Sequence, residues 1–160
     1  MGTRNNLVER FCFFLAGAIL FICGNVQAQT GFGLRAGASV DPDQFHFGVH
    51  YVSNPLISDL CFRPNLEVGI GSNVTSTAVN LEFAYRIAVP KSELSAYFGA
   101  GPALNIYRLG ETARRSAHTD IGGGFNVLLG LEHRRGLFGE FKVGAIDSPE
   151  VKITVGFTFR

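Results

Sequence analysis

The sequence predicts an all-β fold: an eight-stranded antiparallel up-and-down β-barrel of the transmembrane kind, preceded by a cleaved signal peptide. Three observations predict it. First, beyond residue 30 there is no convincing helical period; eight segments instead alternate apolar residues with polar ones or glycine. Second, the chain is oily, with 46% apolar and 17% charged residues, against a charged share of about 25% in ordinary soluble domains. Yet no stretch reaches the roughly 18 apolar residues of a helical membrane span, so the oiliness is distributed, as alternating strands distribute it. Third, one face of all eight segments is almost free of charge.

The first element is the leader, residues 1–28. Arg4 and Arg10 make a positive start, and residues 11–23 are an apolar run. Val26 and Ala28 stand at −3 and −1 before Gln29, the pattern of a Sec cleavage site. The apolar run spans only about 20 Å as a helix, too short for a bilayer core of roughly 30 Å. Its removal takes away Arg4, Arg10 and Glu9 and leaves 12 basic and 12 acidic residues in 29–160. A balanced chain offers no electrostatic support for a nucleic-acid partner. Removal also takes Cys12 and Cys23, leaving Cys61 without an intramolecular disulfide partner and with the expected role of a small apolar residue.

The strands follow in order. Residues 32–39 set Phe32, Leu34, Ala36 and Ala38 against Gly33, Arg35, Gly37 and Ser39, and Asp41-Pro42-Asp43 makes the turn. Residues 45–51 oppose Phe45, Phe47, Val49 and Tyr51 to His46, Gly48 and His50. The third runs over 63–71, with Leu66, Val68 and Ile70 against Asn65, Glu67 and Gly69. The fourth, 76–89, alternates from Thr77 to Ile87 against Ala78, Asn80, Glu82, Ala84 and Arg86, and Pro90 stops it. The fifth, 94–107, carries Tyr97, Gly99, Gly101 and Asn105 on its polar face; Pro102 predicts a bulge or local distortion. The sixth, 120–132, opposes Phe125, Val127, Leu129 and Leu131 to Asp120, Gly122, Gly124, Asn126 and Gly130. The seventh, 137–145, holds Glu140 and Lys142, and the eighth, 151–160, holds Lys152, Thr154 and Thr158. Even spacing and hairpin links close such strands into a barrel without exposed edges.

Alternation alone fits a soluble lipocalin-type barrel as well as a membrane one. The polar face decides between them. It has few long charged residues and about a dozen glycines, a poor solvent-facing strand surface but a good filling for a narrow eight-stranded interior. The other face is clean, as lipid demands: a Lys or Arg near the midplane costs about 2–4 kcal/mol.

With these eight segments, and the closing stretch 151–160, the chain resembles the small outer-membrane β-barrel proteins, the OmpA-type membrane domain and OmpX-like barrels. The resemblance implies a bacterial outer membrane, both termini in the periplasm, a monomer in outer-membrane lipid, and a C-terminal strand presented to the barrel-assembly machinery. That strand departs from the usual terminal Phe: Phe159 is penultimate and Arg160 last. Outer loops then fall at 40–44, 72–75, 109–119 and 147–150, of which only the third is long, with Arg114, Arg115 and His118 as the candidate outer surface. The turn at 53–60 is longer than such barrels usually show on the periplasmic side.

The candidate site is the lumen. Its predicted polar network is Arg35, Glu67, Glu82, Arg86, Asp120, Glu132, Glu140, Lys142 and Lys152, four positive and five negative groups. Buried charges need partners, so the expectation is an ion-paired plug; a gated pore is the alternative. His46 and His50 share that face about 13 Å apart, too far to chelate one metal, so interior packing is expected and no cofactor or metal. Some barrels of this type are lipid A-modifying enzymes using Ser/His/acid groups at the lipid boundary; Ser116, His118, Glu111 and Asp120 lie in or beside a loop without such a motif. The expected function is non-enzymatic, structural or envelope-integrity, with a small pore for polar solutes as the alternative.

Overall fold

The computed structural model describes residues 30–72, 74–110 and 118–160. The leader, residues 1–28, and Arg114 and Arg115 lie outside the described residues. Nine strands are described: β1 (Gly31–Val40), β2 (Gln44–Val52), β3 (Pro55–Ile57), β4 (Leu60–Ile70), β5 (Val74–Ala88), β6 (Leu94–Leu109), β7 (His118–His133), β8 (Leu137–Ile146) and β9 (Val151–Phe159). The hydrogen-bonded order is β2-β1-β9-β8-β7-β6-β5-β4-β3, and β2 also pairs with β4. All pairings are antiparallel. Eight long strands therefore form a closed barrel, as the alternation predicts, and β1 and β9 join the two chain ends in register from Phe32↔Phe159 to Val40↔Val151.

The barrel is inside out relative to a soluble one. Buried positions hold 21 polar or charged residues and only eight hydrophobic ones, while 32 large hydrophobic side chains are exposed. In water that surface would far exceed the apolar patch a soluble monomer tolerates; a hydrocarbon surrounding removes the penalty. Every strand contributes to both faces with period two. On β5, for example, Ser76, Ala78, Asn80, Glu82 and Ala84 are buried and Leu81, Phe83, Tyr85 and Ile87 exposed.

One local expectation is corrected and another is narrowed. The 53–60 turn contains β3, which pairs with the start of β4 (Pro55↔Cys61, Ile57↔Leu60), so β4 begins at Leu60 rather than Arg63. Ser53 makes this extension: its N–H bonds to Phe62 O at 2.9 Å and its hydroxyl accepts from Phe62 N at 2.9 Å. Pro102 brings a local distortion of the ladder rather than a bulge. The β5–β6 ladder skips Leu81 and Glu82 and resumes in the same register, Asn80↔Ala103 before the gap and Phe83↔Ala100 after it. Its ring points outward, and β6–β7 pairing runs unbroken through Pro102↔Phe125.

Candidate functional site

The barrel lumen is filled in layers, each built by side chains that the pleat turns inward. The central layer joins five strands. Lys142 Nζ of β8 lies 2.6 Å from Glu82 Oε1, 3.6 Å from Glu140 Oε1 and 3.9 Å from Glu67 Oε1. These contacts are ion pairs, and none of them is a hydrogen bond. Lys152 of β9 donates to Glu67 Oε2 at 2.8 Å, Arg35 Nε lies 3.4 Å from Glu67 Oε1, and the Arg35 guanidinium also donates to Glu140. Lys142 and Lys152 are direct cross-strand partners. Like charges so placed repel, and Glu67 reaches between them from β4, 2.8 Å from Lys152 Nζ and 3.9 Å from Lys142 Nζ.

Three asparagines tie this layer to β4, β5 and β7. Asn65 and Asn126 both donate to Glu82, at 2.8 and 3.3 Å. Asn80 donates to Asn65 Oδ1 at 2.6 Å, and Asn126 to Asn80 Oδ1 at 2.8 Å. Asn65 and Asn80 each serve as donor and acceptor, and Asn126 donates to both Asn80 and Glu82.

Toward the end of the barrel that carries the termini, the filling turns aromatic. The Arg63 guanidinium stacks 4.2 Å from the Tyr97 ring centre and pairs with Glu132 at 3.3 Å. The Tyr97 hydroxyl donates to Glu140 at 3.0 Å, and Arg160 caps Glu132 from the rim. Leu128 and Phe138 are buried here as well. His50 meets the Phe138 ring edge-on at 5.0 Å and shares a 3.0 Å hydrogen bond with Thr158; His46 does the same with Thr154 at 3.0 Å. The two histidines are thus packed separately. Gly33 and Gly37 face their rings, and a Cβ at either position would collide with them.

At the opposite end the β8–β9 turn folds into the mouth. Ile146 takes φ 63°, which reverses its parity and leaves it 82% exposed, while Ser148 and Pro149 turn inward and are buried. Asn105 donates to Asp147 O at 2.6 Å and to Ser148 Oγ at 3.2 Å, and the Tyr107 hydroxyl donates to Asp147 O at 3.3 Å. Gly124 leaves the room that Ser148 fills. A cavity of about 360 Å³ remains above, lined by Asp41, Tyr107, Asp120, Asp147 and Glu150 among others.

Of the nine residues expected in the network, Arg35, Glu67, Glu82, Glu140, Lys142 and Lys152 form the central cluster, and Glu132 belongs to the Arg63–Arg160 group. Arg86 and Asp120 do not join it. Arg86 is only half-buried near the terminal end of β5, and Asp120 is exposed at the other rim, where it accepts the N–H of Ile121. Each lies beyond the level where neighbouring strands crowd the lumen. Arg63 and Arg160 are the members that alternation missed; counting Arg63 on the inward parity of Asn65 and Glu67 would have found the first. His118, the described member of the outer-surface set, is exposed at the mouth end of β7.

Of the serine/histidine/acid candidates near the third outer loop, Ser116 and Glu111 lie outside the described residues. Among the described residues, the histidine rings meet Thr154, Thr158 and Glu93, and no serine hydroxyl contacts a histidine. No group of three His, Cys, Asp or Glu residues suited to a metal ion occurs among the described residues.

No protein-family description matches the chain, and no curated protein sequence matches it. Solved structures do. The N-terminal β-barrel domain of Pseudomonas aeruginosa OprF superposes with TM-score 0.63 at 15% identity, covering 81% of this chain and 96% of that one. Neisserial surface protein A superposes with TM-score 0.59 at 15% identity over 81% and 96%. The outer membrane enzyme PagL superposes with TM-score 0.52 at 10% identity over 82% and 100%. At these identities the likeness is one of fold, and because an enzyme shares it, the barrel itself does not decide activity.

Proposed function

We propose that the chain is a non-enzymatic, integral barrel of the bacterial outer membrane, with a structural or envelope-integrity role and a lumen closed by its own ion pairs. Export would use the leader at residues 1–28, and assembly the closing strand β9. The protein would sit as a monomer in outer-membrane lipid, with both termini in the periplasm. One observation carries the closed-lumen reading: Glu67, Glu82 and Lys142, side by side at mid-barrel, are each 1% exposed. A water-sized probe does not reach charges that a conducting pore would have to hydrate. The inverted distribution of apolar residues supports the membrane part of the reading, since strands of about 9–11 residues suffice to cross.

Refolded protein in planar bilayers tests closure: silent membranes are expected, and a steady open level would establish the small-pore alternative instead. Membrane fractionation with heat-modifiable gel migration tests location; a periplasmic, detergent-independent protein would overturn the proposal. Mass spectrometry of lipid A from cells with and without the gene should show no difference, and a changed acyl pattern would overturn the non-enzymatic assignment.

A further inference from the structure

Among the described residues, the two rims of the barrel carry opposite charge. At the mouth rim, Asp41, Asp43, Asp120, Asp147 and Glu150 face only Arg108 among the described residues. At the rim that carries the termini, Arg86, Lys91, Arg134, Arg135 and Arg160 outnumber Asp59 and Glu93.

The cations of the terminal rim are held in place. Arg134 N–H donates to Glu93 O at 2.8 Å, locking the β7–β8 turn to the β5–β6 turn. Gly136, at φ 102°, a conformation that favours glycine, accepts from Thr158 N at 2.8 Å and so ties the same turn to β9. Arg160 reaches the Arg134 carbonyl. Glu93 is engaged by His133 at 3.2 Å. Lys91, Arg134 and Arg135 are exposed and make no ion pair among the described residues.

Their depth identifies the partner. Lys91 stands between the exposed Val89 and Leu94, and Arg134 and Arg135 between the exposed Leu131 and Leu137. At about 3.3 Å per residue, each charge lies within roughly 10 Å of the apolar belt. The headgroup layer beside a hydrocarbon core is about 5–8 Å deep on each side, and long basic side chains reach through it. Because both turns are short, nothing lifts the patch away from the bilayer toward a soluble partner.

We infer that Lys91, Arg134 and Arg135 form a docking surface for anionic phospholipid headgroups in the leaflet facing the chain termini. The inference rests on the membrane-barrel reading above. Spin-labelled phosphatidylglycerol and phosphatidylcholine, compared by electron paramagnetic resonance on the full mature chain in vesicles, test it without needing a tryptophan. Phosphatidylglycerol should associate with the barrel at least about fivefold more strongly, the share of a single basic group beside an anionic surface. The preference should shrink as salt is raised and disappear in K91Q/R134Q/R135Q. Equal association of the two lipids with the wild type would overturn the inference and leave the patch to an acidic protein. So would an undiminished preference in the triple variant. Failure to insert into vesicles at all, read by heat-modifiable migration, would instead strike the barrel proposal, so the two failures are distinct. The variant K91R/R134K/R135K should keep the preference, which separates charge from a folding defect.

Discussion

Lys142→Met isolates what the central ion pairs contribute. Methionine keeps most of the lysine stem, so little cavity forms, and the change removes one thing, the ammonium beside Glu82, Glu140 and Glu67. Arg35 still serves Glu67 and Glu140, and Lys152 still serves Glu67. Glu82 keeps only the two asparagine amides. It becomes a buried carboxylate without a cation, a situation that costs about 3–5 kcal/mol when one partner of a buried pair is removed. The expected loss of stability is therefore about 3–5 kcal/mol, read from urea unfolding of the barrel in lipid vesicles. Adding Glu82→Gln removes the orphaned charge while leaving an acceptor for an asparagine, so the double variant should lose at least about 1 kcal/mol less than the two single changes added together. Two results would refute the reasoning. One is a Lys142→Met loss within about 0.5 kcal/mol, the range of an inconsequential surface change; the other is strict additivity in the double variant.

Gly130→Ala puts a Cβ into the Tyr97 ring, which is held between Arg63 and Glu140 and has no free direction to move; a loss of about 1–3 kcal/mol is expected from overpacking, and an unchanged unfolding midpoint would show the ring to be loosely held. Val127→Arg, near the middle of β7 on the exposed face, should cost about 2–4 kcal/mol in a bilayer; a neutral result in vesicles would mean that this face does not meet hydrocarbon.

The parts of this molecule that obey period two were legible in the sequence. The inward parity of Arg35, Glu67, Glu82, Glu140 and Lys142 follows from alternation, and so does their convergence once a barrel closes. What was not legible follows from departures from that period or from side chains that contradict their face. Leu128 and Phe138 are apolar yet inward, and pack with Tyr97 and His50 at the terminal end; an apolar residue on a polar face carries no signature of its own. Ile146 leaves the pattern through a positive φ, and the inward fold of the β8–β9 turn depends on Asn105, some 40 residues away in sequence. Arg160 lies outside any strand and finds Glu132 only because β9 ends beside the start of β8, next to the β7–β8 turn. Pro102 marked a ladder defect, as proline usually does; its form, a gap in the β5–β6 bonds without a change of register, was not legible.

The buried charges do more for the uniqueness of the fold than for its depth. A well-packed apolar interior could rival an ion-paired one in stability, but it would not choose a register. A slip of β8 by one residue exchanges its two faces, sending Glu140 and Lys142 into lipid and bringing Phe141 and Val143 into the lumen. The exposed lysine alone would cost about 2–4 kcal/mol near the midplane. Glu82 and Arg35 would each lose a buried partner, adding about 3–5 kcal/mol apiece. Alternative registers of a single strand are thus separated from the native one by a gap as large as the stability of an ordinary domain. The filling of the lumen is then a consequence of specifying the barrel: the side chains that fix each strand against its neighbours are the ones that occupy its interior.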